Sequence, residues 1–388
     1  MTTRRQSLLQ LAALAPMLAA PAAWGAAGKD EEGGETLKAL AARKGLRFGN
    51  AIGTMNDKAS RTHFNNPAYR ALMARECGVL VAENESKWQA LQPKPGPHDF
   101  RRADELFGWA KRQGMLIRGH CLVWQDPRWL PEWVTRHGFG ANPAQEAERL
   151  LREHIAATCG HFGKDVYSYD VVNEAVNPGT GELIANALNE KMGALEQIDL
   201  SFRLAREHAP HAQLVYNDYM GPGKDSAKHR AGVLKLLAGL KARGTPVHAL
   251  GLQSHIGAWG GAGDGEARAR GLREWRAFLD EASGMGLDLL ITEFDVSDRE
   301  LPADIAQRDA AAAGIARDFL ELTLSYPRCR DFLLWGLSDD VSWLQTWKDA
   351  KRRDGLPSRP CPYDAQLRAK PMRAAIADVL RTMPARAA

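Results

Sequence analysis

The chain has 388 residues, 45% apolar and 25% charged, with a formal net charge of +4. That apolar share builds a sizeable core and excludes general disorder. The small positive excess, two charges of which are Arg4 and Arg5, forms no basic stripe for nucleic acid and no membrane-binding patch.

The first residues run from that arginine pair into an apolar stretch, Leu8 to Ala20, and then small residues before Lys29 and Asp30. The layout is that of an export leader over residues 1–27, cut between Ala22 and Ala27, and the stretch is too short for a membrane span. The order Thr3-Arg4-Arg5-Gln6-Ser7-Leu8-Leu9 resembles a twin-arginine leader, an ordinary secretory leader being the alternative. A periplasmic or secreted product is expected, with residues 28–388 as one catalytic domain. Five cysteines (Cys77, Cys121, Cys159, Cys329, Cys361) lack C-x-x-C spacing and are too few for a disulfide scaffold; at most one or two pairs are expected.

Past the leader, short β-rich runs alternate with longer helical stretches. The runs cover 46–52, 78–84, 115–120, 166–174, 213–218, 247–255, 287–293 and 331–337. Between them, amphipathic segments such as 101–114 and 227–244 predict helices, the second stopped by Gly244. Eight such units predict one α/β domain, a single (β/α)₈ TIM barrel. The Gly-rich segment 257–271 lacks the Gly-Lys-Ser/Thr ending of a phosphate loop and is expected as a flexible loop at the mouth.

Polar residues gather where the strands end: Glu83-Asn84, His120, Asn173-Glu174, Asn217-Asp218, Gln253 with His255, Glu293, and Trp335. In a barrel these ends converge on one mouth, where such enzymes keep their chemistry. Glu174 and Glu293 end the fourth and seventh runs. Two carboxyls flanking a cleft suit glycoside hydrolysis, one protonating the leaving oxygen while the other attacks the anomeric carbon. Glu293, with Asp295 two positions on and His255 near, is expected to stay charged and act as nucleophile. Glu174, beside an Asn173 able to bond a sugar 2-hydroxyl, is expected as acid and then base. Metal hydrolysis fits worse, since no H-x-H or H-E-x-x-H occurs, and serine chemistry has no G-x-S-x-G elbow.

With "AENESKW", "GHCLVW", "DVVNEAV" and "ITEFDV" in that order along it, the chain after residue 45 resembles glycoside hydrolase family 10, the barrel endo-β-1,4-xylanases. "AENESKW" resembles the family's E-N-x-x-K-W element, implying that Glu83, Asn84 and Lys87 grip the sugar one place beyond the cleaved residue. "GHCLVW" matches G-H-x-L-x-W, implying that His120 and Trp124 line the cleaved sugar's subsite. "DVVNEAV" puts the acid/base on Glu174, "GLQSHI" brings Gln253 and His255, and "ITEFDV" surrounds the nucleophile Glu293. "WGLSDDVSW" implies an aromatic roof from Trp335 and Trp343, and "PYDAQLRAKP" resembles the closing segment. Departures are Ser86 where Met is frequent, Cys121 for Thr, Gln125 for His, and Cys361 for an aliphatic residue. The resemblance implies a retaining endo-xylanase with carboxyls about 5 to 5.5 Å apart, no metal or organic cofactor, xylan or xylo-oligosaccharides as partner, and a monomer. The alternatives are action on related β-1,4-glucans or aryl-cellobiosides, and a barrel that binds polysaccharide without cutting it.

Overall fold

The structure, a computed structural model, describes residues 34–54, 64–258 and 265–386. The expected leader lies outside the described residues. Nine parallel strands lie among the described residues: β1 Arg47–Ile52, β2 Val79–Ala82, β3 Leu116–Trp124, β4 Val166–Asn173, β5 Gln213–Asp218, β6 Ala249–Leu252, β7 His255–Ile256, β8 Asp288–Val296 and β9 Cys329–Leu334. From β1 to β6 each strand pairs with the next, β6 pairs with β8, β8 with β9, and β9 returns to β1. The result is the closed eight-staved (β/α)₈ barrel, with β7 a short continuation of β6 laid against the end of β8 (His255↔Asp295, Ile256↔Val296).

Most strands differ from their sequence-based extents, the second and eighth runs ending early at Ala82 and Leu334. The sixth is interrupted at Gln253 and Ser254, where Ser254 turns to a φ of 65° and its Oγ donates to the Leu252 carbonyl at 3.0 Å. The third and seventh run on to Trp124 and Val296, because Cys121–Val123, Phe294 and Val296 are apolar and buried, and Asp295 between them is held by His255 and Trp343. Glu293 therefore sits within β8, whereas Glu174 lies one residue past β4 at a φ of 56°.

The helices cover the outside. Arg101–Arg112 buries Ala103, Leu106, Phe107 and Ala110, spaced at three and four residues, and ends in Lys111 and Arg112 beside its electron-rich carbonyl end. Ala227–Ala242 ends with Gly244 at a φ of 66°, a conformation that favours glycine. Residues 259–264 of the expected mouth loop lie outside the described residues, but from Gly265 the chain is helical to Gly284. Alanine, arginine and glutamate outweigh the isolated glycine there. No helix among the described residues is long and apolar enough to cross a membrane. All five cysteines are buried and free.

Strand residues alternate between the barrel's two buried faces. Outward Phe48, Leu80, Ile117, Tyr169 and Leu250 join the main core beneath the helices, while inward Val215, Ala249 and Leu290 form a small cluster of their own. Inward Ala51, Val79, Val81, Leu333 and Trp335 form a second apolar cluster, and polar side chains occupy other parts of the interior. Arg118 donates to Asp170 Oδ1 at 2.5 Å and to Ser168 Oγ at 3.3 Å, and Asp170 Oδ2 lies 2.9 Å from His120 Nδ1. All four side chains are buried, so each polar member depends on its partner. Replacing Asp170 by Asn leaves the Arg118 cation uncompensated; the expected loss is about 3–5 kcal/mol of unfolding free energy, read by urea denaturation.

Candidate active site

The mouth is organised around Asn217, the penultimate residue of β5. Its amide Nδ2 donates at 2.8 Å both to Asn173 Oδ1 and to Glu293 Oε1, and its Oδ1 accepts from Thr292 Oγ1 at 2.7 Å. Its backbone carbonyl accepts the Glu174 N–H at 2.9 Å. Gly251, on the neighbouring β6, leaves the room: a Cβ there would collide with the Asn217 side chain. The alternation rule marks Asn217 as inward-facing, but not as the residue touching both glutamates, because that contact is set by the register of β4, β5 and β8 together.

Glu174 and Glu293 hold opposite charge states. Glu174 Oε1 accepts from Gln253 Nε2 and Oε2 from Trp124 Nε1, each at 2.8 Å. Burial pushes this carboxyl up to about 7; the two donors oppose the rise and negative Asp218 and Glu293 reinforce it. Burial pushes Glu293 up as well, yet His120, His255 and Lys87 override it and hold the carboxyl at about 2. His255 Nε2 lies 3.3 Å from Glu293 Oε2 and its Nδ1 3.0 Å from Asp295 Oδ2. Burial alone would lower the imidazole, but Asp295 and Glu293 raise it to about 10, so it donates to both carboxylates at neutral pH. Asp295 Oδ2 also accepts from Trp343 Nε1 at 2.8 Å.

Four consecutive hydrogen bonds thus join the glutamates, through Gln253, Asn173 and Asn217. Gln253 Nε2 reaches Asn173 Oδ1 at 3.3 Å as well as Glu174. With both donors aimed at Asn173 Oδ1, its Nδ2 has no protein hydrogen-bond partner among the described residues, although it is buried. A buried, unused N–H beside two carboxyls is available to a bound molecule's hydroxyl.

The remaining candidates close one side. Lys87 Nζ donates to Asn84 Oδ1 at 3.1 Å and lies 4.5 Å from the Trp124 ring centre and 5.9 Å from that of Trp335. Burial raises Glu83 to about 7, offset in part by Lys87, with Glu85 and Glu293 repelling its charge. Trp335 stands edge-on to His120 at 5.3 Å, and Trp343 edge-on to His255 at 5.0 Å. A cavity of about 1390 Å³ reaches Glu83, Asn84 and Trp343 but neither Glu174 nor Glu293, so it opens to one side of the pair. The structure therefore gathers all thirteen sequence candidates. Of the departures, Gln125 bonds Gln197 and Asn186, Ser86 Oγ donates to the His120 carbonyl at 2.6 Å, and Cys121 lies buried within the electrostatic reach of Lys87, Asp170 and both glutamates.

Adding one methyl at Gly251 tests the Asn217 arrangement without touching a carboxyl. Gly251→Ala is expected to displace the amide from Glu293 and lower kcat at least about tenfold, with the circular dichroism spectrum retained.

Comparison with known proteins identifies the family. The chain matches the description "Glycosyl hydrolase family 10" over residues 36–379. It is 32% identical to a β-1,4-xylanase of Dictyoglomus thermophilum, covering 76% of this chain and 81% of that one. It is 29% identical to endo-1,4-β-xylanase 5 of Pyricularia oryzae, over 99% and 89% of the two chains. Among solved structures, xylanase 10B of Thermotoga maritima superposes with a TM-score of 0.76 at 26% identity, covering 89% of this chain and 98% of its own. Xylanase 10B of Thermotoga petrophila, in complex with xylobiose, gives the same score and identity over 89% and 97%. The chain belongs to glycosyl hydrolase family 10.

Proposed function

We propose that this protein is a retaining endo-1,4-β-xylanase that cleaves internal bonds of xylan with Glu174 as acid/base and Glu293 as nucleophile. The observation that carries the proposal is a pair of buried carboxyls joined by four hydrogen bonds but set in opposite surroundings, Glu174 among neutral donors and toward Asp218, Glu293 among His120, His255 and Lys87. Near pH 6 the first holds a proton to give and the second a charge to attack with, which are the states glycoside cleavage requires. Family membership and the xylanase relatives support xylan as substrate.

Glu293 attacks the anomeric carbon as Glu174 passes its proton to the glycosidic oxygen; the C–O bond breaks, the shortened chain leaves, and the sugar stays esterified to Glu293. Glu174, now a carboxylate, takes a proton from water as the oxygen of that water displaces Glu293, which restores the starting charges and the β configuration. Asn217 and His255 keep donors on Glu293, so its charge is held in place before attack. The free Nδ2 of Asn173 takes the 2-hydroxyl, where a bond strengthens as the ring becomes oxocarbenium-like. Glu83, Asn84 and Lys87 hold the adjoining sugar, with Trp335 and Trp343 as roof. Xylan is a polymer met outside the cell, so export through the leader at 1–27 belongs to the same proposal.

The product's stereochemistry tests this reading. Proton NMR during hydrolysis of unbranched xylo-oligosaccharide is expected to show the β-anomer first, and initial release of the α-anomer sinks the retaining mechanism.

The acid role has a pH signature. Glu174 acts protonated, so kcat/KM on unactivated xylo-oligosaccharides falls as pH rises through about 7. Glu83 loses a proton in the same range. An aryl xylobioside with a good leaving group separates the two, since it occupies the Glu83 subsite but needs no proton; its kcat/KM is expected to stay level. Glu174→Ala should lower xylan turnover by about two to four orders of magnitude while sparing the aryl substrate's first step, whereas Glu293→Ala removes both activities.

A further inference from the structure

Trp129 belongs to no strand, and neither it nor Trp124 is part of the barrel's apolar core. Its indole nevertheless lies nearly parallel to that of Trp124, ring centres 4.9 Å apart and planes 18° off. The chain between the two rings is built to hold that stack. Gln125 N–H continues the ladder to the Asn173 carbonyl at 2.9 Å, and the Gln125 side chain is tied to Gln197 at 2.5 Å. Pro127 opens a single 3₁₀ turn that Asp126 caps by accepting the Arg128 N–H at 2.9 Å, and Trp129 N–H closes the turn on the Asp126 carbonyl at 2.9 Å. The Arg128 guanidinium is held by Asp126 at 2.9–3.0 Å and lies 6.0 Å from the Trp129 ring centre. Beyond the turn, Leu130 is buried and Trp133 Nε1 donates to the Gln92 carbonyl at 2.9 Å.

Such an arrangement has one evident target. Trp124 Nε1 donates to Glu174 Oε2, while Gln253 occupies Oε1. When one donor sits on each carboxyl oxygen, the acid's own proton is confined to the lone-pair directions left over. A Trp124 ring free to turn about χ2 would release Oε2 and let the carboxyl rotate. We propose that Trp129 is a positioning residue for the acid/base: its ring clamps the Trp124 indole so that Nε1–H stays on Glu174 Oε2 and the acid proton faces the glycosidic oxygen. The inference rests on the role given to Glu174 above. Lys87, 4.5 Å from the same ring centre, constrains Trp124 further, which leaves the indole with an ammonium, a stacked ring and a carboxyl as its neighbours.

The test turns on the leaving group. A stacked aromatic pair biases the ring by a factor in the range of roughly two to ten. In Trp129→Ala, kcat on unactivated xylohexaose is expected to fall about tenfold with KM changed less than about twofold. The kcat/KM for an activated aryl xylobioside, which needs no proton in its first step, should stay within about twofold of wild type. Trp129→Phe, which can still stack, should recover most of the loss. Melting temperatures of both variants guard against simple unfolding, and if the alanine variant does not fold, the phenylalanine variant is compared with Trp129→Leu. A rise in KM with kcat retained would overturn the proposal and make Trp129 a sugar platform; equal losses on both substrates, or no loss, would overturn it too. Glu174→Ala run beside it separates the two levels. If that variant keeps xylohexaose turnover, the acid assignment itself falls; if it shows the leaving-group pattern and Trp129→Ala does not, only the clamp falls.

Discussion

One primary amide relates the two carboxyls on which the chemistry turns. Asn217 reaches Glu293 and Asn173 with its side chain and Glu174 with its backbone carbonyl, so a residue of β5 fixes the end of β4 and the middle of β8 at once. An amide suits the place because it is neutral: it donates to Glu293 without adding charge that would also draw the proton from Glu174. Because Asn217 is fully buried and its oxygen is held by Thr292, the amide has one orientation, and that orientation decides which atom of Asn173 faces the cleft.

The charge states follow from placement on that frame. Both glutamates are removed from water, and burial alone would leave both protonated. They diverge because Glu293 lies among His120, His255 and Lys87, whereas Glu174 lies toward Asp218 with only neutral donors on its oxygens. His255 is the pivot, since Asp295 keeps it charged and it keeps Glu293 charged in turn. The left-handed backbone at Glu174 and Ser254 belongs to the same construction: each marks where a strand is broken so that a side chain can turn into the mouth.

Much of this was legible in the chain. Alternating runs and helical segments gave the barrel, and polar residues at run ends gave the mouth, because strand ends must converge once the sheet closes. The two glutamates stood out as carboxyls following β-branched apolar runs. What was not legible depends on register between distant strands. Asn217 reads as one more strand-end polar residue, and nothing local says that it bridges β4 and β8. The break at Ser254 was not marked because a lone serine is only a weak turn signal within "ALGLQSHI", and Trp129 is indistinguishable by composition from a tryptophan that merely packs. The helix from Gly265 was hidden by glycines that weaken a helix without forbidding it.

The central claim is that this frame holds one glutamic acid protonated and the other ionised at the same pH. The most direct measurement is a carbon-13 NMR titration of the protein labelled at glutamate Cδ, with Glu174→Gln and Glu293→Gln assigning the two signals. The account predicts apparent midpoints near 7 for Glu174 and near 2 for Glu293. Two carboxyls titrating together near 4.5, or a Glu293 that takes up its proton at higher pH than Glu174, would contradict it.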